Sequence, residues 1–150
     1  MSGEADDVSR NIIAMLQSIM LTSVLQQQPL PGQTQPVRFP DLAFITESPT
    51  VLISIDNVVG QFNAADIDKP VEVLLESEIR EAAAKSGDRA YIRFQPTEER
   101  DGQVRIVLEV RIAPKEPDIQ PLGLGGIRAT FTRRPSGDWE ATEPPVLFGF

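Results

Sequence analysis

Four arginines on predicted strands are the side chains in this sequence best suited to bind a ligand. They are Arg93, Arg105, Arg111 and Arg128. Each alternates with apolar residues, which predicts that all four project from the sheet face opposite the apolar side. A guanidinium presents a planar set of N–H donors that matches a carboxylate or a phosphate, so this face could hold an anionic group. The competing interpretation is a solvated face where they pair with acids such as Glu109, at about 0–1 kcal/mol per pair.

The other candidate residues have ordinary structural explanations. Tyr91 is predicted to share the arginine face, where its hydroxyl could contact a ligand, although packing is the commoner role. Asp66 and Asp68 precede a predicted helix and are better explained as helix-start residues than as metal ligands. The glycine cluster Gly123–Gly126 leads into a predicted strand rather than a helix. It therefore indicates a bend or bulge and not a phosphate-binding loop.

Two absences exclude much of enzyme chemistry. The 150 residues include no histidine and no cysteine. Without them the chain lacks the usual side chain for proton transfer near neutral pH, the thiol nucleophile and the common zinc, copper and iron ligands. No nucleotide motif or catalytic signature replaces them. The sequence therefore favours a protein that is not an enzyme and that carries no cofactor and no metal.

The charge is acidic and unevenly distributed. The formal net charge is −8, with 22 acidic against 14 basic residues. Residues 1–88 account for the whole of this excess, whereas residues 89–150 are balanced. Nucleic-acid binding relies on clustered Lys and Arg, so a nucleic-acid partner is not expected.

The N-terminal segment is predicted to form a helix with more apolar surface than one sheet can cover. The pattern runs from Val8 to Gln27, and its apolar arc is nearly twice the roughly 100° that a surface helix needs. The stretch is too short and too interrupted for a membrane span, and the acidic N-terminus is unlike a signal peptide, so we expect a soluble, cytoplasmic protein. Either the domain encloses this helix, or part of it binds a partner. The candidate interface residues are Ile13, Met20, Leu21, Val24 and Leu25.

The chain is predicted to be a single domain with three parts: the helix in residues 1–28, a Pro/Gly/Gln connector in 29–36 and an α+β region in 37–150. The connector cannot continue a helix. Within the third part, the pattern predicts a second helix from Pro70 to Ser86. It also predicts strands at Val37–Ile45, Thr50–Val59, Ala90–Gln95, Val104–Ile112, Ile127–Arg133 and Trp139–Glu143.

This order predicts an α+β fold: a curled antiparallel sheet of about five to six strands packed on one or two helices. In that order, and in the turn that leads into Gly137-Asp-Trp-Glu140, the chain resembles cystatin-like or NTF2-like domains. Such folds host enzymes, binding proteins and scaffolds alike. We expect a non-enzymatic protein-binding or assembly module that self-associates through its helix, with itself or another protein as partner. The alternative is a small-molecule pocket or an NTF2-like enzyme that uses Tyr, Arg or carboxylate groups.

Overall fold

The computed structural model describes residues 2–39, 42–59 and 67–149, which form an α+β fold built on an open, mixed sheet. The helices in this part of the chain are α1 (Ser2–Gln26), α2 (Ala43–Thr46) and α3 (Glu76–Ser86). The strands are β1 (Val51–Ser54), β2 (Val71–Leu74), β3 (Arg89–Phe94), β4 (Glu98–Arg100), β5 (Gln103–Ala113), β6 (Leu122–Arg133), β7 (Trp139–Ala141) and β8 (Val146–Gly149).

The eight described strands are not all antiparallel, which corrects the prediction. Their order is β2-β1-β3-β5-β6-β7, with β4 paired to β5 and β8 paired to β6. Strand β1 runs parallel to both β2 and β3, and the other pairs are antiparallel. Parallel strands require a crossover connection, and α3 provides it by linking β2 to β3. The cystatin-like or NTF2-like order of strands stays a resemblance.

The prediction of a helix starting at Pro70 was wrong, because a strand lies between Pro70 and the helix. Val71–Leu74 is strand β2, and α3 begins only at Glu76. The alternating valines of this segment suit a strand, and the Pro70 carbonyl accepts a hydrogen bond from the Val51 N–H at 2.9 Å. Leu75 is the extended N-cap of α3, and its N–H donates to Oε1 of Glu78 at 3.0 Å.

The first predicted strand, Val37–Ile45, is also wrong within the described residues. Val37 to Phe39 form no strand, residues 40–41 lie outside the described part, and α2 follows. Val37, Leu42 and Ile45 are nevertheless buried, so the apolar pattern marked core residues correctly. With the buried Phe39, the spacing of these residues lengthens from two positions to three across the segment, and the three-residue spacing suits a turn of helix better than a strand.

Of the two long antiparallel strands, β5 matches the prediction closely, whereas β6 begins at Leu122 and not at the predicted Ile127. Alternate residues of β5 from Val104 to Val110 point into the core and are buried. Asp101 and Gly102 form the turn between β4 and β5, with φ of 51° and 78°. These positive values suit a two-residue hairpin turn. The glycines of β6 pair with β5 where its register shifts between Val110 and Arg111, which confirms the predicted bulge.

The sheet is covered by a different helix on each face. On one face α1 contributes to the main core together with β1, β3, β5 and β6. On the other face α3 packs over a smaller core that includes Leu52, Ile79 and Tyr91. This second cover explains why β1 is buried on both of its faces rather than alternating with solvent.

Candidate functional site

A cluster of charged side chains lies on the α3 face of the sheet, where β3 and β5 pair. Arg93 is directly opposite Glu109 in the register, and Tyr91 is opposite Arg111. Facing residues of antiparallel strands share one face, so the pairing brings all four together. We define the polar cluster as these four residues with Asp56, Glu76 and Gln95, whose contacts follow.

Glu109 is the centre of the polar cluster. It is only 4% exposed, although the sequence pattern placed it on a solvated face. Its carboxylate accepts hydrogen bonds from Arg111 Nη1 at 3.2 Å and from Gln95 Nε2 at 3.2 Å. Nη1 of Arg93 lies 3.7 Å from Oε1 of the same carboxylate. A buried carboxylate is tolerated when it is paired in this way, so the contacts account for its burial.

The cluster also connects α3 and β1 to the sheet. Nε of Arg93 lies 3.7 Å from Oδ2 of Asp56, which follows β1, and 3.9 Å from Oε2 of Glu76, the first residue of α3. The hydroxyl of Tyr91 donates to Oε1 of Glu76 at 3.2 Å. The N-terminus of α3 is therefore held to β3 by both a phenol and a guanidinium.

The charges in the cluster are already matched. Three carboxylates face two guanidinium groups, so the arginines present no excess of positive charge. Burial lowers the pKa of Arg111, but Tyr91 and the hydrogen-bonded Glu109 more than offset this, so the pKa is raised. Among the described side chains, Nε of Arg93 and Nε of Arg111 are buried without a hydrogen-bond partner. The arrangement is that of a structural network in which these two N–H donors have no acceptor.

Tyr91 is a hydrogen-bond donor in this network and not a base. Burial, and then the negative charge of Glu76, raise the pKa of its phenol well above the ordinary value of about 10. Because the pKa of Tyr91 is higher in the folded than in the unfolded protein, the phenol contributes stability at pH values below its unfolded pKa of about 10. This contribution is lost as the pH rises beyond about 10.

This pKa is directly measurable because Tyr91 is the one tyrosine of the chain. We expect an ultraviolet titration of the folded protein to show no tyrosinate until the pH is well above 10. In denaturant the same tyrosine should titrate near 10. Replacing Glu76 by Gln is the control that leaves burial in place, and it should lower the pKa only in part. Ionisation of the folded protein near pH 10 would show that the phenol is exposed to solvent.

The remaining two predicted anion-binding arginines lie apart from the cluster. Arg105 is on the β4–β5 hairpin, with its Nη1 3.3 Å from Oε2 of Glu98. Arg128 is exposed and pairs in register with Val107 of β5 and Val146 of β8. The structure thus unites Arg93 with Arg111 and leaves the other two separate. An anionic ligand at these arginines stays a prediction.

The predicted interface residues of α1 lie mainly in the core of their own domain. Met20, Leu21 and Val24 are fully buried, and Ile13 and Leu25 are partly buried against the same core. This side of the helix shares one core with residues of the sheet and with five buried residues that follow the helix: Leu30, Val37, Phe39, Leu42 and Ile45. The sequence pattern missed this, since it could not show how many elements surround one helix.

A different stripe of α1 reaches the surface. Ile12, Met15 and Ile19 follow a three- and four-residue spacing; Met15 is 43% exposed, whereas Ile12 and Ile19 are partly buried against the main core. Trp139, the one tryptophan of the chain, lies beside this stripe. Two open grooves of about 440 and 410 Å³ share Trp139 among their lining residues. We call the apolar lining of these grooves the Trp139 groove: Ile12, Met15, Ile19, Pro31 and Trp139.

A buried glutamine is a further feature that the sequence reading missed. Gln17 is fully buried; its Nε2 donates to the Asn57 carbonyl at 2.8 Å and its Oε1 accepts from the Val59 N–H at 3.1 Å. Asn57 in turn donates from Nδ2 to the Phe94 carbonyl at 2.8 Å. One polar residue within the apolar stretch of α1 thereby fixes the segment that follows β1.

The fold and these sites define the class of protein only as an α+β domain with an open mixed sheet. No family model, no curated protein and no solved structure matches the chain. Within residues 2–39, 42–59 and 67–149, none of the helices has the length and apolar character needed to cross a membrane. The same residues contain no cluster of three or more acidic side chains positioned to hold a metal ion.

Proposed function

We propose that this chain is a non-enzymatic protein-binding or assembly module that self-associates through the Trp139 groove. The observation that carries the proposal is the exposure of Met15, 43%, on an apolar stripe that borders the only tryptophan. Methionine and aromatic side chains are enriched in interface cores, where they supply much of the binding energy. An apolar groove along a helix is also a common docking geometry for another helix.

A second copy is a suitable occupant, because the exposed Met15 of each copy lies within the same groove and can contact the groove of the other. In a two-fold arrangement Met15 of one copy meets the groove of the other, and the same contact is repeated in reverse. Charged residues also line the two grooves, including Arg133 in one and Asp138 in the other, and interfaces combine apolar and charged residues in this way. The alternative, a ligand pocket or active site, has less support: these grooves are open, and the Tyr91 phenol is buried.

We expect Met15→Glu to dissociate this assembly while leaving the domain folded. A charge at the centre of an apolar interface should raise the dissociation constant by about tenfold or more. Sedimentation equilibrium over a concentration series measures this change. The emission of Trp139 should shift to longer wavelength as the groove becomes exposed on dissociation.

The matched control is Phe44→Glu, which places the same charge at an exposed apolar residue of α2. Phe44 is 48% exposed, so the two positions start from similar accessibility. We expect this variant to associate as the unmodified chain does. If Met15→Glu and Phe44→Glu have the same association constant as the unmodified protein, the Trp139 groove is not the interface.

A further inference from the structure

The sheet edge formed by β7 and β8 is covered at one strand and open at the other. Both strands pair with β6 on one side. On its other side, β7 is closed by the connector: the Ala141 N–H donates to the Pro31 carbonyl at 2.7 Å, and Gln33 Nε2 donates to the Ala141 carbonyl at 2.7 Å. Among the described residues, no strand pairs with the outer side of β8.

Strand β8 is a short, four-residue edge that follows Pro144 and Pro145 but carries no charge of its own. Proteins protect exposed edges with charged residues, prolines, bulges or a covering segment. The opposite edge of the sheet, β2, carries the exposed Glu72 within the strand. The β8 sequence from Val146 to Gly149 has no charge and no proline. Its Val146 and Leu147 are 46% and 47% exposed, so the open edge is also apolar.

We propose that β8 pairs in an antiparallel manner with β8 of a second copy, joining two sheets across a two-fold axis. In such a pair the residue at the axis faces its own copy, and a charge there would meet a like charge. The uncharged β8 edge is free of this repulsion, whereas Glu72 would introduce it close to the axis if two β2 edges paired. A second copy of this chain therefore fits the β8 edge better than it fits β2.

The apolar side chains indicate the register. Directly opposed residues lie on the same face of a sheet, so the axis must pass through a residue position. An axis at Leu147 opposes this leucine to its own copy and opposes Val146 to Phe148. An axis at Phe148 would instead oppose the exposed Leu147 to Gly149, which offers it no side chain. The geometry therefore favours Leu147 at the centre.

This interface is separate from the Trp139 groove, and the proposal goes beyond the one made for that groove. One two-fold interface produces a closed dimer, whereas two on the same chain produce a tetramer or an extended chain. The two proposals together therefore predict an assembly larger than a dimer. Each can fail without the other.

The test is a charge swap at Leu147. We expect Leu147→Lys and Leu147→Glu each to raise the dissociation constant of this interface by about tenfold or more, because like charges then face each other. An equimolar mixture of the two variants should associate again, since Lys then faces Glu. Val73→Lys is the matched control on the β2 edge, where Val73 is 38% exposed, and it should leave association unchanged.

Combining Leu147→Lys with Met15→Glu separates the two interfaces by sedimentation equilibrium. If both exist, each single variant is a dimer and the double variant is a monomer. If only the β8 interface exists, Leu147→Lys alone produces the monomer and Met15→Glu changes nothing. If Leu147→Lys alone leaves the assembly unchanged, or if the Lys and Glu mixture fails to associate, the β8 proposal is overturned. Slower amide exchange at Leu147 with rising concentration is the expected direct sign of pairing.

Discussion

Replacing Met20 by Asp is expected to unfold the domain. Met20 has no exposed surface and belongs to the main core formed by α1 and the sheet. Truncating a buried residue of this size costs about 2–5 kcal/mol, and an unpaired carboxylate at the site adds to that. Domains of this kind are stable by only about 5–15 kcal/mol, so the folded state should be largely or wholly lost. Urea unfolding followed by circular dichroism and by Trp139 fluorescence measures the loss.

The control is the same substitution five residues earlier in the same helix. Met15→Asp changes an exposed side chain, and we expect it to shift the free energy of unfolding by no more than about 0.5 kcal/mol. The pair of variants distinguishes the two faces of α1. A folded, fully stable Met20→Asp protein would mean that α1 does not dock on its own sheet.

Removing the carboxylate of Glu109 should have the second largest effect. Glu109→Ala removes the carboxylate that accepts from Arg111 Nη1 and from Gln95 Nε2. It also removes one of the three carboxylates beside Arg93, which keeps Asp56 and Glu76. Breaking a buried ion pair from one side costs about 3–5 kcal/mol, and partly exposed partners recover some of this from solvent. The side chains of Arg93 and Arg111 are 32% and 20% exposed. We therefore expect a loss of about 2–3 kcal/mol in the free energy of unfolding.

Glu98→Ala provides the comparison with an exposed ion pair. Glu98 faces Arg105 at 3.3 Å, but its side chain is 68% exposed. Such pairs contribute about 0–1 kcal/mol, so this variant should lose little stability in the same urea experiment. Equal losses for Glu109→Ala and Glu98→Ala would contradict the structural role of the polar cluster.

A further measurement would show what the cluster holds in place. Glu109 lies beside Arg93, and Arg93 in turn lies beside Glu76 at the start of that helix. Glu109→Ala should therefore loosen α3 in particular. Hydrogen exchange at the amides of α3 would be faster in this variant than at the amides of the β5–β6 pair.

Local sequence patterns correctly predicted the elements that depend on the preferences of single residues and of their nearest neighbours in the sequence. The alternation in β5, the Asp101-Gly102 turn and the glycine that ends α3 at Gly87, with φ of 106°, all follow from steric and burial preferences of single residues. The same patterns failed at β2. Val71 and Leu74 have a spacing that also suits the first turn of a helix, and only pairing with β1 decides for a strand.

The candidate sites depended on contacts that no local pattern contains. Alternation correctly placed Arg93, Glu109 and Arg111 on one face, but it could not show that Glu109 is buried there or that Arg93 lies beside Glu76 of α3. Likewise, the composition of α1 showed a surplus of apolar surface without showing which side would be covered. The sequence by itself determined the α+β class and the facing of the long strands, because these depend on periodicity. The tertiary structure decided which face is buried, because burial depends on every element packed around it.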